Sequence, residues 1–411
     1  MPNWTLPFSA FDLVVADEAH RCAGKVDGAF ATVLDGDKLR TTRRLFATAT
    51  PRTYSTTLKR KADDIGVEVV DMDDEAAFGK RFHVLPFGEA IKLGLLTDYR
   101  VVIVGVDDET VADWIRDRHL VGTETGIESD AESLAAEIGL IKAIKDWDLQ
   151  RIISFHSRVK RADRFAQELR EVCTWLDDSN KPNKTIWSEH VSGEMPTISR
   201  RLKLQRLKAV AEGEVGLLSN ARCLSEGVDV PALDCVAFID ARSSQIDIVQ
   251  AVGRAIRLSA KKKTGTIVIP VFIEQGGDPE RVIDSSNFKP IWDVLDALRA
   301  HDDVLSDQLD QLRIELGSKQ RSIIGEGDLS KIVFDLPTSV DANFAQALRT
   351  QLVVKTTESW VHWYELLRAF VEQNGHCRVP ISHKSSEGYR LGGWVFGQRQ
   401  QQAEMSAERK A

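Results

Sequence analysis

Phe11-Asp12-Leu13-Val14-Val15-Ala16-Asp17-Glu18-Ala19-His20 is the stretch from which the rest of the chain is read. Its first six residues form an apolar run of strand length that ends on an acidic pair. A buried parallel strand delivers carboxylates to the rim of an α/β sheet in this way. Two adjacent carboxylates at such a rim suit nucleotide hydrolysis. The first can hold Mg²⁺ through its water shell, and the second can orient and deprotonate the attacking water. Four residues would also fit an acidic loop after a strand, so the decision rests on what lies further along.

Just downstream, the Gly24-Lys25 pair imitates a phosphate-cradling loop but does not make one. G-x-x-x-x-G-K-[ST] requires a Gly where Ala19 stands and a hydroxyl where Val26 stands. Leu45-Phe46-Ala47-Thr48-Ala49-Thr50-Pro51 is a short strand that ends in two hydroxyls and a helix-blocking proline. Taken alone, Thr48 and Thr50 read as turn residues.

The 411 residues suffice for two or three domains with real cores. Charged residues make up 28% and hydrophobic residues 43%, the profile of a soluble globular protein. A net charge of -8 means that nucleic-acid binding must use a local basic stripe. The 5 cysteines are scattered without a C-x-x-C pair, which argues against a zinc site or disulfide framework and for the cytoplasm. No apolar stretch approaches membrane-spanning length, so no membrane partner is expected.

Further on, strands alternate with helices. Arg81 to Arg100 reads as a linker into a strand at Arg100–Val106, and Ala131 to Trp147 as a helix with a solvated face. Strands follow at Ile152–Ser157, Thr185–Trp187, Val215–Asn220, Cys235–Asp240 and Gly265–Ile273, with helices at Val159–Leu169, Ser199–Val210 and Ile246–Ile256. Such alternation predicts a parallel, doubly wound sheet. Phe288–Leu316 reads as one or two amphipathic helices, Ile332–Pro337 as extended, and Asp341–Leu352 as a helix. From Trp360 the texture changes: Trp360, Trp363, Leu366, Leu367 and Phe370 recur at helical spacing, and Leu391–Met405 forms another helix. One face can be buried only once, so these aromatics are expected to form a small core.

Two constellations carry chemistry. Gln250-Ala251-Val252-Gly253-Arg254-Ala255-Ile256-Arg257 places two guanidiniums three residues apart, on one helix face, with Gly253 open to close approach by another backbone. Fixed cations of this kind stabilise a transferring phosphoryl group, and an arginine finger is worth roughly 10³–10⁵ in rate. Ser219 to Pro231, with Glu226-Gly227-Val228-Asp229, offers backbone N–H groups, hydroxyls and a carboxylate beyond a strand end. An ordinary βα loop and a solvated Arg pair are the plain alternatives.

In order and spacing, D-E-A-H, T-A-T, the strand ending at Phe155-His156-Ser157-Arg158, E-G-V-D-V-P and Q-x-x-G-R-x-x-R resemble the superfamily 2 helicases, the DEAD/DEAH-box class, and most closely their restriction-type translocase branch. Gly375-His376-Cys377-Arg378-Val379-Pro380, Leu391-Gly392 and Trp394-Val395 are similar to a helicase-associated domain.

The resemblance implies ATP and Mg²⁺ as cofactors and DNA as partner, with RNA left open. Asp17 would hold Mg²⁺ through water and Glu18 would be the general base, while His20, Thr48 and Thr50 would couple the nucleotide site to nucleic acid. Gly227 and Asp229 would touch the nucleotide from the second domain. Arg254 and Arg257 would be the fingers, with Gln250 linking them to the first domain. Phe155, His156, Ser157, Arg158, Gly193, Ser219 and Asn220 would lie along the strand's phosphates. The basic helix bearing Arg200, Arg201, Lys203 and Arg206 would add electrostatic grip or be merely solvated.

The implied fold is α/β: RecA-like parallel sheets, partial in a first domain (1–95) and complete in a second (96–325), then a linker (326–355) and a small α-helical module (356–411). Only sixteen residues precede Asp17 and no P-loop is among them, so the expectation is a motor fragment with an exposed sheet edge or apolar face. It would be completed by a separate P-loop half or an upstream domain, or else be a catalytically inactive binding or docking piece.

Overall fold

The computed structural model describes residues 11–26, 28, 30–54, 59, 62, 64, 66–107, 109–112, 131–175, 181–221, 233–240, 244–259, 262–274, 278–317, 323–357, 360–381, 383 and 391–400. The chain divides into two compact units, Met1–Leu85 and Pro86–Ala411.

In the first unit, β1 (Phe11–Ala16) pairs in parallel with β3 (Thr41–Phe46), from Phe11↔Thr41 to Ala16↔Phe46. A short antiparallel pair, β2 (Gly24–Lys25) and β4 (Val69–Val70), and the one-turn helix α1 (Glu75–Phe78) complete it. Asp74 starts α1 by accepting the N–H groups of Ala76 and Ala77. The core is small: Cys22, Ala23 and Phe78, with Phe46 against the Phe78 ring. β1 is not the buried strand its apolar run predicts. Phe11, Leu13 and Val15 are exposed, because β1 and β3 form a sheet of two strands only and the face these residues share has no cover among the described residues.

The second unit is built on seven parallel strands in the order β11-β5-β10-β9-β6-β8-β7. They are β5 (Asp98–Asp107), β6 (Arg151–Phe155), β7 (Thr185–Ser192), β8 (Glu214–Ala221), β9 (Cys235–Phe238), β10 (Thr264–Ile273) and β11 (Ile332–Asp335). The helices, in chain order, are α2 (Phe87–Lys92), α3 (Ala131–Asp146), α4 (Val159–Trp175), α5 (Thr197–Lys208), α6 (Gln245–Ala255), α7 (Pro279–Ile283), α8 (Lys289–Arg299), α9 (Asp303–Gly317), α10 (Ala342–Thr356), α11 (Trp360–Asn374) and α12 (Leu391–Gln400). α3 and α4 cover one face of the sheet, over Val102, Val104, Leu217 and Val268. α6, α8, α9 and α10 cover the other, over Ile103, Ile153, Phe238 and Ile269. The near-continuous apolar runs of the strands are what a sheet covered on both faces requires.

Three sequence expectations change here. Arg81–Arg100 is not wholly a linker: α2 lies within it, begins after Pro86 and ends at Gly94, whose φ is 68°. α2 is held to the second unit by the Phe87 N–H donating to the His301 carbonyl at 2.8 Å. A Cβ on Gly88 would lie 2.3 Å from Asp303 Oδ1 and 2.8 Å from Val304 Cγ2, so any larger residue would have to push these side chains aside. α3 has no broad solvated face. Leu134, Ala135, Ile138, Leu140, Ile141 and Ile144 are buried, and a Cβ on Gly139 would be 2.9 Å from Pro270 Cβ on β10. Finally, Ile332–Asp335 is a true strand, added in parallel to β5.

The C-terminal module is α11, the following turn and α12. Leu366, Phe370, Val379, Leu391 and Val395 form its core, flanked by Trp363, Leu367 and Trp394. The Trp363 and Trp394 rings stack at 5.8 Å with an interplanar angle of 11°. The expected core role of these aromatics holds for Trp363, Phe370 and Trp394.

Candidate functional site

In the first unit, the end of β1 turns sharply. Glu18 has φ 50° and ψ 43°, a left-handed conformation uncommon for a side chain of this size and a form of strain concentrated at functional sites. The turn is held by the Asp17 carboxylate accepting the Glu18 N–H at 2.9 Å and by the Ala19 N–H donating to the Ala47 carbonyl at 2.9 Å. It buries His20 and places its Nδ1 3.0 Å from Thr48 Oγ1, with Glu18 Oε2 at 3.4 Å. Thr48 Oγ1 also accepts the N–H of buried Thr50 at 3.1 Å. Asp17 is exposed and Glu18 half-buried. The two motifs are thus joined by hydrogen bonds through Thr48 Oγ1, which meets the buried imidazole and the Thr50 N–H, while Glu18 Oε2 only stands beside the ring and neither it nor the Thr50 hydroxyl has a hydrogen-bond partner among the described residues.

In the second unit, the parallel strands bring all their carboxyl ends to one edge. Phe155 pairs with Asn220 and Ser192 with Ala221, so His156–Arg158, Ser219–Asn220 and Gly193 gather there on the neighbouring strands β6, β8 and β7. Ser157 is half-buried, and Arg158 and Gly193 are exposed. Phe155, His156, Ser219 and Asn220 are not on the surface as expected: all four are buried. Phe155 stacks on Phe238 at 5.6 Å in the core. His156 Nε2 lies 3.0 Å from Ser154 Oγ, which donates to Ser219 Oγ at 3.1 Å, and the Asn220 carbonyl accepts the His156 N–H at 2.9 Å. These residues brace the edge from beneath.

Sequence reasoning missed Asp240 and Arg161. Asp240 Oδ2 accepts the Ser157 N–H and hydroxyl, each at 2.9 Å, and Oδ1 accepts Arg161 Nη1 at 2.7 Å. One carboxylate past β9 therefore fixes the turn that opens α4. The only sequence signal was an acid closing the strand at Phe238-Ile239-Asp240, and its partners lie 79 to 83 residues away. A cavity of about 330 Å³ opens beside it, lined by His156, Ser157, Phe165, Asp240 and Phe272 among others.

α6 starts at Ser244, whose hydroxyl accepts the Asp247 N–H at 3.3 Å. The expected pairing of Arg254 and Arg257 on one helix face is not formed. Arg254 is buried in the last turn, and Arg257 lies beyond the C-cap Ile256 and is exposed. Its backbone is held by residues that follow α2, through the Leu96↔Arg257 bridge and the Thr97 N–H donating to the Ile256 carbonyl at 2.8 Å. Among the described residues nothing lies within 4 Å of where a Cβ on Gly253 would stand, so the space beside it is open. Both amide atoms of Gln250 are enclosed, with no hydrogen-bond partner among the described residues. Gly227 and Asp229 lie outside the described residues.

The chain matches two family models: the helicase conserved C-terminal domain over residues 139–259 and the helicase associated domain over residues 357–411. It is 26% identical over 273 residues to Probable helicase A859L of African swine fever virus (isolate Tick/Malawi/Lil 20-1/1983), covering 65% of this chain and 27% of that protein. The counterpart from isolate Pig/Kenya/KEN-50/1950 is 26% identical over 275 residues. The chain therefore spans about a quarter of the length of these relatives. Among solved structures it is similar to the ATP-dependent type ISP restriction-modification enzyme LlaBIII bound to DNA, with a TM-score of 0.67 and 26% identity over 89% of this chain and 24% of that one. That likeness makes the seven-stranded sheet RecA-like.

Proposed function

We propose that the chain is a superfamily 2 helicase of the restriction-type branch and, within it, the motor region of an ATP-dependent DNA helicase or translocase, coupling ATP hydrolysis to movement along nucleic acid. The observation that carries this reading is the joining of D-E-A-H to T-A-T through His20 and Thr48. An imidazole 3.4 Å from the hydrolytic carboxylate and hydrogen-bonded to a second motif is a route for passing the state of the nucleotide onward.

When bound, ATP supplies the phosphoanhydride and Mg²⁺ neutralises its charge. Among the described residues no group of three or more ligating side chains could hold a metal ion. The lone exposed Asp17 fits an ion bound mainly by phosphates and water. Glu18 would take the proton of the attacking water, and His20 would orient Thr48, to which it is hydrogen-bonded, beside Glu18. Arg254 and Arg257 would each be a cation for a transferring phosphoryl group. Ser157, Arg158 and Gly193 meet the phosphates of the tracked strand, held in place by Asp240 and the buried Ser154–His156–Ser219 brace. Backbone contact of this kind gives weak sequence preference.

The test joins this chain to an upstream segment carrying G-x-x-x-x-G-K-[ST] and measures ATP hydrolysis with and without single-stranded DNA or RNA. The expected result is DNA-stimulated turnover that falls by about 10² or more in Glu18→Gln while ATP binding is kept. Absence of stimulated turnover in the joined protein, or unchanged turnover in Glu18→Gln, would favour a catalytically inactive binding or docking piece.

A further inference from the structure

α5 is the basic helix singled out in the sequence, and its cations divide into two groups. Lys203 and Arg206 turn to Glu189 on the edge strand β7, at 3.2 and 2.6 Å. Lys203 also donates to the His190 carbonyl, and the Arg206 guanidinium lies 4.4 Å from the centre of the Trp187 ring. Both cations hold the helix to the sheet, as buried Leu207 does from the inner face. They are not a free comb of charges for phosphates.

The outward face is different. Ile198 is 75% exposed and Leu202 61% exposed. At positions i and i+4 they stand one above the other, and Gln205 and Ala209 continue the stripe, all of them exposed. Exposed Arg201 and Lys208 flank the stripe on one side; on the other stands Arg206, whose charge is already paired with Glu189. The helix contains no acidic residue, on a chain whose net charge is -8. An exposed apolar pair beside the Arg201–Lys208 row of cations is complementary to an amphipathic helix whose own apolar stripe runs beside carboxylates. A phosphodiester backbone would match the cations but would leave Ile198 and Leu202 against charge.

We propose that the outer face of α5 is a docking surface for an acidic amphipathic helix of a partner protein. The proposal goes beyond the motor reading and does not depend on it.

The test uses the full chain and a fluorescent peptide of about 18 residues, with leucines on one helical face and glutamates elsewhere. Controls are a peptide of the same composition with the leucines scattered around the helix, and labelled single- and double-stranded DNA. The amphipathic peptide should bind more tightly than the scattered one. Ile198→Ser with Leu202→Ser should weaken it about tenfold or more, and Arg201→Glu severalfold, the latter masked at high salt. Both positions are exposed, so the melting temperature and the DNA affinity should stay at wild-type values. Failure of the amphipathic peptide to bind, equal binding of the scattered peptide, or insensitivity to the serine pair overturns the proposal. A fall in DNA affinity in the serine pair or in Arg201→Glu would instead make the face a nucleic-acid surface.

Discussion

Replacing Asp240 by alanine removes the carboxylate on which the β6–α4 turn is built. Three hydrogen bonds are lost, and they are unequal. The Ser157 hydroxyl is on a half-buried side chain and can turn to water, so its loss costs little. Arg161 is 44% exposed, and its ion pair with a carboxylate only 11% exposed is discounted for solvent screening to about 1 kcal/mol or less. The Ser157 backbone N–H is fixed by the chain and loses its acceptor, which costs about 1–3 kcal/mol. The sum is roughly 2–3 kcal/mol. Asp240→Asn keeps one oxygen for that N–H and should cost about half as much. Urea unfolding followed by far-ultraviolet circular dichroism gives the stability, and fluorescence anisotropy with labelled single-stranded DNA reads the exposed Ser157–Arg158 turn. Asp240→Ala should weaken DNA binding severalfold with ATP binding unchanged. Wild-type stability within about 0.5 kcal/mol, or Asn as costly as Ala, would refute the assignment of Asp240 as the residue that fixes the turn.

Gly392→Ala should unfold the C-terminal module, because the new Cβ would lie 1.9 Å from the Pro380 carbonyl oxygen and 2.7 Å from Ile381 backbone atoms; the near-ultraviolet dichroism of the stacked Trp363–Trp394 pair should collapse. Burial pushes the Asp234 carboxyl up from 3.8 to about 6 although it accepts the Gln150 and Arg151 N–H groups. The native state therefore holds this proton more tightly than the unfolded chain, and the stability due to the group is lost as pH rises from about 4 to 6, at most about 3 kcal/mol. Relative to wild type, Asp234→Asn should thus gain stability across that window in urea titrations, and a constant difference would contradict the assignment. In the joined protein, Arg254→Ala or Arg257→Ala should cut kcat by about 10² or more with little change in ATP affinity; near wild-type turnover would make that arginine a structural or surface cation.

The order of the elements and the parallel sheet were legible from residues close together in the chain. An apolar run ending on polar residues, repeated with helices between, is dictated by the pleat and by cover on both faces, and both are local consequences of side-chain chemistry. D-E-A-H and T-A-T were legible for the same reason, since each motif is short. That His20 would reach Thr48, and that His156, Asn220 and Gly193 would share one edge, followed only from the expectation that the strands run parallel. What the tertiary structure decided is depth and partner. Whether Phe155 and His156 face solvent or the core depends on which strand side α4 and α6 cover. The burial of α3 depends on its bed between β5 and β10, and Ile332–Asp335 became a strand because β5, more than two hundred residues earlier, offered an open edge. The separation of Arg254 from Arg257 turned on where α6 stops, two residues before the bridge to Leu96 draws the chain out of helical register. Local spacing sets which residues can lie side by side along one element. Burial and long-range pairing are properties of the packed whole, so only the folded chain could settle them.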